Sequence, residues 1–452
     1  MQFKSMVNKK KLTLDELVIA IRIPRKTILD WEKRSLIESE KSPDGQRFFN
    51  LKLVCDVRDK LSGKGELRRF KVLKSEPTNY TAVELFSGAG GLALGLSNAG
   101  FQTKLLVEFD KDAVATLKQN RPGWNVVHDD IKNVDFRPYE GKIDVVAGGF
   151  PCQTFSFAGN GQGFGDTRGT LFFEFARCVS EIRPKIALAE NVRGLLPHDN
   201  GRTLETILYV MRKALGYRVG YKVLSAQFYD VAQKRERLFI VGLREDLDTS
   251  FLFPTPKDYI MTLQEALDGC PASEGAIYPE RKRFIMSKVP EGGNWRDLSV
   301  DLQKEHMRGS FHLGGGKTGM ARRLSMKEPS LTLVCSPAQG QTERCHPKET
   351  RPLAIREYAR IQSFPDSWNF SGSLGSQYKQ IGNAVPVNLA YHVGRCLIAM
   401  LSGKPEKDAM VLEAKPEKQI EFMDSGLHEN RIKEFALWIS STKPQEAESC
   451  RL

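Results

Sequence analysis

The sequence predicts an α/β protein: a doubly wound, mostly parallel sheet, with a smaller second domain and an N-terminal helical domain. Two observations carry the central element. From Tyr80 onward, short apolar runs (TAVELF, KLLVEF, NVV, IDVVAGG, IALAE, RLFIVGL) alternate with stretches of helix length. Such runs fit strands covered on both faces by crossover helices. The first run passes straight into FSGAGGLALGL, a glycine-rich strand-to-helix turn that lets a ligand approach backbone amides at a helix N-terminus. A third observation sets the scale: 452 residues, 40% hydrophobic and 27% charged, suffice for two or three globular domains.

The N-terminal domain, residues 1–61, comes first. In KKLTLDELVIAIRIPRKTILDWEKRSLIESEKSPDGQRFFN, Thr13 with Glu16 forms a capping box, and Leu14, Leu17, Val18 and Ile21 supply an apolar stripe. Pro24 breaks the pattern and opens a second helix, which carries Arg25, Lys26, Lys33 and Arg34 beside Ile28, Leu29 and Trp31. Pro43-Asp44-Gly45 is a turn signal suited to a wing. The segment resembles the winged helix-turn-helix of mercury-resistance-type regulators, and that resemblance implies DNA contacts from Arg25 and Lys26. A small helical domain for protein contacts is the alternative. Charge favours a polyanionic partner: residues 1–76 hold 19 Lys+Arg against 11 Asp+Glu, so +8 of the formal +12 lies there.

Residues 62–79 are polar, with Gly, Lys and Pro, and read as a linker. Residues 404–452 read as a charged tail with one amphipathic segment, 429–440. No apolar run approaches the roughly 18 residues of a membrane helix. The opening MQFKSMVNKKK lacks the apolar core of a secretory signal, so the expected compartment is the cytoplasm. Eight cysteines are scattered without CxxC or His-Cys spacing, which argues against a metal site and a disulfide framework.

The chemistry gathers at the strand ends. Glu108 lies 20 residues after Gly88, where a carboxylate holds ribose hydroxyls, and Asp129 and Asp130 follow the third strand. Together they describe a pocket for a dinucleotide or for S-adenosylmethionine. The fourth strand delivers Phe150-Pro151-Cys152, and the fifth ends at Glu190. A thiol and a carboxyl on neighbouring strand ends form a covalent-catalysis pair. QKRER, residues 233–237, adds cations at the same edge.

From residue 80 to 403 the chain resembles the DNA (cytosine-5)-methyltransferases. FSGAGG, GGFPCQTFS, ENVRG, QKRERLFIVG, EPSLTL and YKQIGNAVP arrive in that family's order. The resemblance implies the fold of S-adenosylmethionine-dependent methyltransferases, with a catalytic and cofactor domain at 80–254. It further implies a target-recognition region at 255–330 and, at 331–403, the end of the recognition domain and a return to the catalytic domain. It makes Cys152 the nucleophile that adds to C6 of a flipped-out cytosine in duplex DNA, activating C5 toward the methyl group. Glu190 would contact N3 and the exocyclic amine, Arg237 would hold O2, and Arg235 would support the thiolate or a phosphate. For the cofactor it implies Phe86 against the adenine, the backbone of Gly88, Gly90 and Gly91 at the methionine part, Glu108 on the ribose, Asp130 on the adenine amine and Asn383 closing the pocket. Ala384 stands where some relatives have serine.

The glycines after Cys152 suit a lid over the flipped base, with Arg168 reaching a phosphate. Residues 255–320 hold nine basic and nine acidic side chains, so net charge gives no support for readout there; Arg322, Arg323 and Thr332 are the candidate contacts. The functional expectation is the modification half of a restriction–modification system, monomeric and nucleoid-associated, with a restriction endonuclease as its functional partner and its own promoter repressed through the N-terminal domain. An RNA methyltransferase and a non-enzymatic DNA-binding regulator are the alternatives; an amino-methyltransferase would need an Asn/Asp-Pro-Pro-aromatic motif, which the chain lacks.

Overall fold

The computed structural model of the protein describes residues 11–33, 36–42, 45–61, 68–151, 170–312 and 319–412. β1 (Lys11–Thr13) leads into α1 (Leu14–Ile21), where the Thr13 hydroxyl accepts from Glu16 N and the Glu16 carboxylate accepts from Thr13 N. This is the capping box that the spacing predicts. Arg22 turns through left-handed backbone (φ 54°) into α2 (Arg25–Lys33), so Pro24 precedes the helix and its carbonyl accepts from Thr27 and Ile28 N. β2 (Ser39–Lys41) pairs antiparallel with β3 (Arg47–Asn50), β1 pairs on the other side of β3, and α3 (Leu51–Leu61) follows. Leu12, Leu17, Ile28, Phe49 and Val54 close a small core of their own.

Residues 68–79 are a strap on the main domain, not the end of a linker. Leu73 N donates to Asn388 Oδ1, Asn388 Nδ2 returns to Lys71 O, and Ser75 N donates to Asn98 O. The Arg68 guanidinium lies 3.7 Å from the centre of the Tyr259 ring. Phe70 and Val72 also pack against the main domain, but two apolar side chains among polar neighbours leave the segment with a linker's composition.

The main domain follows the alternation of the sequence. In chain order come β4 (Thr81–Leu85), α4 (Gly91–Ala99), β5 (Gln102–Glu108), α5 (Lys111–Asn120), β6 (Val126–His128), β7 (Val145–Gly148), α6 (Thr170–Ile182), β8 (Ile186–Val192), α7 (Arg202–Tyr209), β9 (Tyr217–Ser225), the short β10 (Gln233–Lys234) and β11 (Glu236–Arg244). The seven-stranded sheet has the order β6-β5-β4-β7-β8-β11-β9; its first five strands are parallel, and β11 runs antiparallel to both β8 and β9. The order reverses beside β4, so a crevice opens at the carboxyl ends of β4 and β7. Alternate residues face two cores: Val83, Leu85 and Val146 one, Ala82, Val145 and Ala147 the other. β9 does not read as an apolar run, because Tyr217, Val219, Tyr221 and Val223 alternate with Arg218, Gly220 and Lys222, the pattern of a strand at the sheet edge.

The remaining elements are β12 (Leu252–Pro254), α8 (Leu263–Leu267), α9 (Glu280–Ser287), α10 (Val300–Met307), β13 (Ser330–Leu331), α11 (Ile355–Ile361), α12 (Leu374–Asn383), α13 (Val387–Ser402) and β14 (Ala409–Val411). Tyr278, Met286, Trp295, Ala321 and Cys345 belong to a separate core within residues 278–345. β14 pairs antiparallel with β12, so the main domain continues past residue 403, the expected start of the tail. α13 returns to pack against α4 so closely that a Cβ on Gly95 would stand 2.3 Å from that of Ala390. The apolar stretch Leu374–Ser402 has the length and composition of a membrane span, yet 83% of its apolar window is buried in the domain.

Candidate active site

The glycine-rich turn forms one half of the site. Phe86 leaves β4 with φ 58°, Ser87 N donates to Val107 O, and Gly90 adopts φ 85° where a Cβ would meet Leu117 at 2.6 Å. That backbone is open to glycine alone. Glu108, at the end of β5, is fixed from both sides: Oε2 accepts from Gly88 N at 2.7 Å, and Oε1 accepts from Phe109 and Asp110 N. Asp130 accepts from Lys132 N at the start of a short turn.

The other half lies across the crevice. Glu190 lies near the end of β8, followed by the buried Asn191, and Arg237, the second residue of β11, stands in register with Val192. Their side chains meet at 2.8 Å (Nε to Oε1), each about nine-tenths buried. Burial pushes the Glu190 carboxyl above its usual range, with Arg237 and then Arg235 pulling it back. Arg235 is 2% exposed; its Nη1 donates to Leu333 O and its Nη2 to Gly382 O, and burial, reinforced by Arg237, brings it down to about 9. Asn191 Nδ2 donates to Phe150 O at 2.9 Å, fixing the chain two residues before Cys152.

Both halves line one cavity of about 1160 Å³. Phe86, Gly88, Gly91, Glu108, Asp130, Glu190, Arg235, Arg237, Thr332 and Asn383 are on its wall, as is Pro151. Gly90 stands behind them, against Leu117 and Trp368. Cys152, the glycine lid and Arg168 lie outside the described residues. Phe109 and Glu84 are among the lining residues that the sequence reading did not single out. Phe109, 73% exposed, offers a ring beside Glu108, and its position after that carboxylate was the available signal. Glu84 is 3% exposed, its Oε2 has no hydrogen-bond partner among the described residues, and burial, Glu108 and Glu190 all push its carboxyl well up. It reads in sequence as one polar letter within a strand.

The expected DNA contacts divide. Arg25, ion-paired with Asp15 at 3.0 Å, and Lys26 are exposed on α2. Thr332 lines the cavity and donates to Lys234 O. Arg322 is half-buried, with Nε unpartnered among the described residues. Arg323 is a correction: it is 5% exposed and donates to Met286, Val289, His346 and Glu349 carbonyls and to the Thr350 hydroxyl. A guanidinium so occupied ties residues 286–289 to residues 346–350 and has no donor to spare for a phosphate.

A nucleoside cradle at a topological switch point, opening into a buried acid–guanidinium pocket, defines a group-transfer enzyme of the α/β class. The model of the C-5 cytosine-specific DNA methylase family matches residues 80–399, and the chain belongs to that family. It is 52% identical over 403 residues to the Type II methyltransferase M.Eco47II of Escherichia coli, covering 87% of this chain and 96% of that protein. With M.PspPI of Psychrobacter sp. (strain TA137) it shares 59% identity over 342 residues, 73% of this chain and 82% of the relative. The solved Entamoeba histolytica methyltransferase EhMeth (TM-score 0.52, 14% identity, 72% of this chain and 99% of that one) shares the fold. The protein is a DNA cytosine-5-methyltransferase, and its cofactor is S-adenosylmethionine. The cradle fits that molecule: three backbone N–H groups hold the Glu108 carboxylate at the cavity wall, and the buried Glu84 carboxyl is without a partner there among the described residues.

Proposed function

We propose that the protein methylates C5 of a cytosine rotated out of duplex DNA, as the modification half of a restriction–modification system. The observation that carries the pocket assignment is the Glu190–Arg237 pair, buried at 2.8 Å in the cavity that also holds the cofactor cradle. Glu108, Phe86, Phe109, Asp130 and Asn383 would hold S-adenosylmethionine, which supplies an electrophilic methyl group.

C5 of cytosine belongs to a conjugated ring and is a poor nucleophile. Addition of the Cys152 sulfur to C6 breaks the conjugation, and protonation of N3 makes that addition favourable. Glu190, whose burial favours the neutral acid, is suited to supply that proton. Arg237 would hold O2 and keep the ring in plane with Glu190. Once C5 carries its methyl group, loss of the C5 proton expels the Cys152 sulfur and restores the ring. Extruding the base costs a few kcal/mol, offset by contacts in the pocket.

The names of the relatives, both Type II methyltransferases, support the restriction–modification context; a cognate endonuclease acting on the same sequence follows as functional partner. The test is bisulfite sequencing of plasmid DNA from cells expressing the protein: protected cytosines in one sequence context are expected, and unmodified DNA would refute the reading. A second role is supported by the separate core of residues 12–57 and the exposed Arg25 and Lys26 on α2. That domain binds duplex DNA, its own promoter included. Deletion of residues 1–67, which spares the strap, is expected to abolish promoter binding; unchanged binding refutes this role.

A further inference from the structure

Two buried guanidinium groups grip neighbouring carbonyls in one short piece of cavity wall. Arg235 Nη1 donates to Leu333 O at 3.1 Å. Arg344, from the recognition side of the chain, donates to Thr332 O through both Nε (3.0 Å) and Nη2 (2.6 Å), and its Nη1 goes to Glu343 O. Arg344 is 5% exposed, and its acceptors among the described residues are all backbone carbonyls. A buried charge without a carboxylate partner is a poor source of stability compared with an apolar side chain of the same shape. Its distinctive product is geometric: the position of Thr332.

The rest of this wall is pinned by β10 and α11. Thr332 Oγ1 donates to Lys234 O, Leu333 N to Gln233 Oε1, and Tyr358 Oη to Val334 O. Arg344 also reaches the loop that continues the wall, its own N donating to Pro337 O at 2.9 Å, while Lys282 Nζ on α9 holds Ala338 O. The next residue, Gln339, is exposed and lines the cavity. One side chain and its own amide therefore fix both the pocket wall and the root of a loop at the pocket mouth.

We infer that Arg344 is a positioning residue that couples docking of the recognition region on DNA to the shape of the cytosine pocket. By holding Thr332 O it keeps the wall in register with Arg235 and Arg237, so a correctly seated recognition region presents a pocket ready for the extruded base. The inference rests on the reading of this cavity as the cytosine pocket.

The test uses full-length Arg344→Met and Arg344→Lys on a duplex whose methylated site has been mapped in the wild type. Arg344→Met is expected to lower kcat at least tenfold, with KM for DNA and Kd for S-adenosylmethionine changed less than threefold. The fluorescence rise from 2-aminopurine placed at the target base should be lost in parallel. Arg344→Lys keeps the charge without the two-pronged bond and should recover less than half of that rise. Wild-type kcat in Arg344→Met, or a joint fall of kcat and both affinities in both variants, overturns the inference. Glu190→Gln run alongside separates the two layers. If it methylates normally, the pocket reading fails; if it is inactive while Arg344→Met is normal, the coupling alone fails.

Discussion

Replacing Glu190 by glutamine separates the proton this side chain carries from the space it fills. The carboxyl is 8% exposed, its Arg237 partner is 9% exposed, and they meet at 2.8 Å. Removing one member of a buried pair costs about 3–5 kcal/mol, because the other charge is stranded. The amide still offers Arg237 an acceptor, so the stability loss should be nearer the ~2 kcal/mol of a charged hydrogen bond. The catalytic loss is larger, since a positioned proton donor contributes about 10²–10⁴-fold. Methyl transfer should therefore fall by at least ~100-fold, while the affinity for S-adenosylmethionine, proposed to rest on Glu108 and Phe86, should change by less than about threefold.

The pH profile adds a second signature. The donor acts only when protonated, and burial raises Glu190 above its usual range. The wild-type rate should therefore decline as pH rises through that raised value, and the amide variant should lack this limb. Single-turnover transfer of labelled methyl to duplex DNA measures both, with calorimetry for the cofactor. A variant within threefold of wild type, or one with the same alkaline limb, refutes the role given to Glu190.

Cys152→Ala should abolish methylation yet bind S-adenosylmethionine within about threefold of wild type by calorimetry; retained methyl transfer would dismiss the nucleophile. Glu84 holds its proton more tightly in the folded protein than unfolded, so its contribution to stability is present below the ordinary carboxyl range and is lost as pH rises. Glu84→Gln should consequently gain in Tm over cofactor-free wild type between about pH 5 and 8; parallel Tm curves would count against the buried, unpartnered carboxyl. Arg323→Ala should lower unfolding free energy by roughly 3 kcal/mol in denaturant titrations, because it strands several buried carbonyls. Unchanged stability with weakened DNA binding would restore it as a surface contact.

Sequence patterning resolved what depends on local rules. The Thr13–Glu16 capping box, the glycine turn after β4 and the 20-residue step from Gly88 to Glu108 all depend on neighbours in the chain or on one strand-turn-helix unit, and the structure contains each. Motif order then placed Glu190 beside Arg237, a pairing between strands that spacing alone does not dictate. What stayed hidden depends on tertiary context. An arginine that reads DNA and an arginine that ties carbonyls look alike in sequence, so Arg323 was misread and Arg344 passed over. The strap at 68–79 has a linker's composition because backbone hydrogen bonds and two apolar side chains, Phe70 and Val72, dock it. Glu84 and Asn191 matter through burial and through one bond to a distant carbonyl, neither of which has a periodicity.

The packing of α4 against α13 reaches beyond the cofactor. Arg395 donates to Ala99 O across 296 residues, and a Cβ on Gly91 would strike Val385 O at 2.2 Å. The first helix of the cradle thus leans on nearly the last helix of the domain. Contacts of such sequence separation form late, after long loop closures. A ribosome must therefore release almost the whole catalytic domain before the cradle is complete. A chain cut short before α13 lacks the helix on which the cradle leans, and its glycine turn is left without that support.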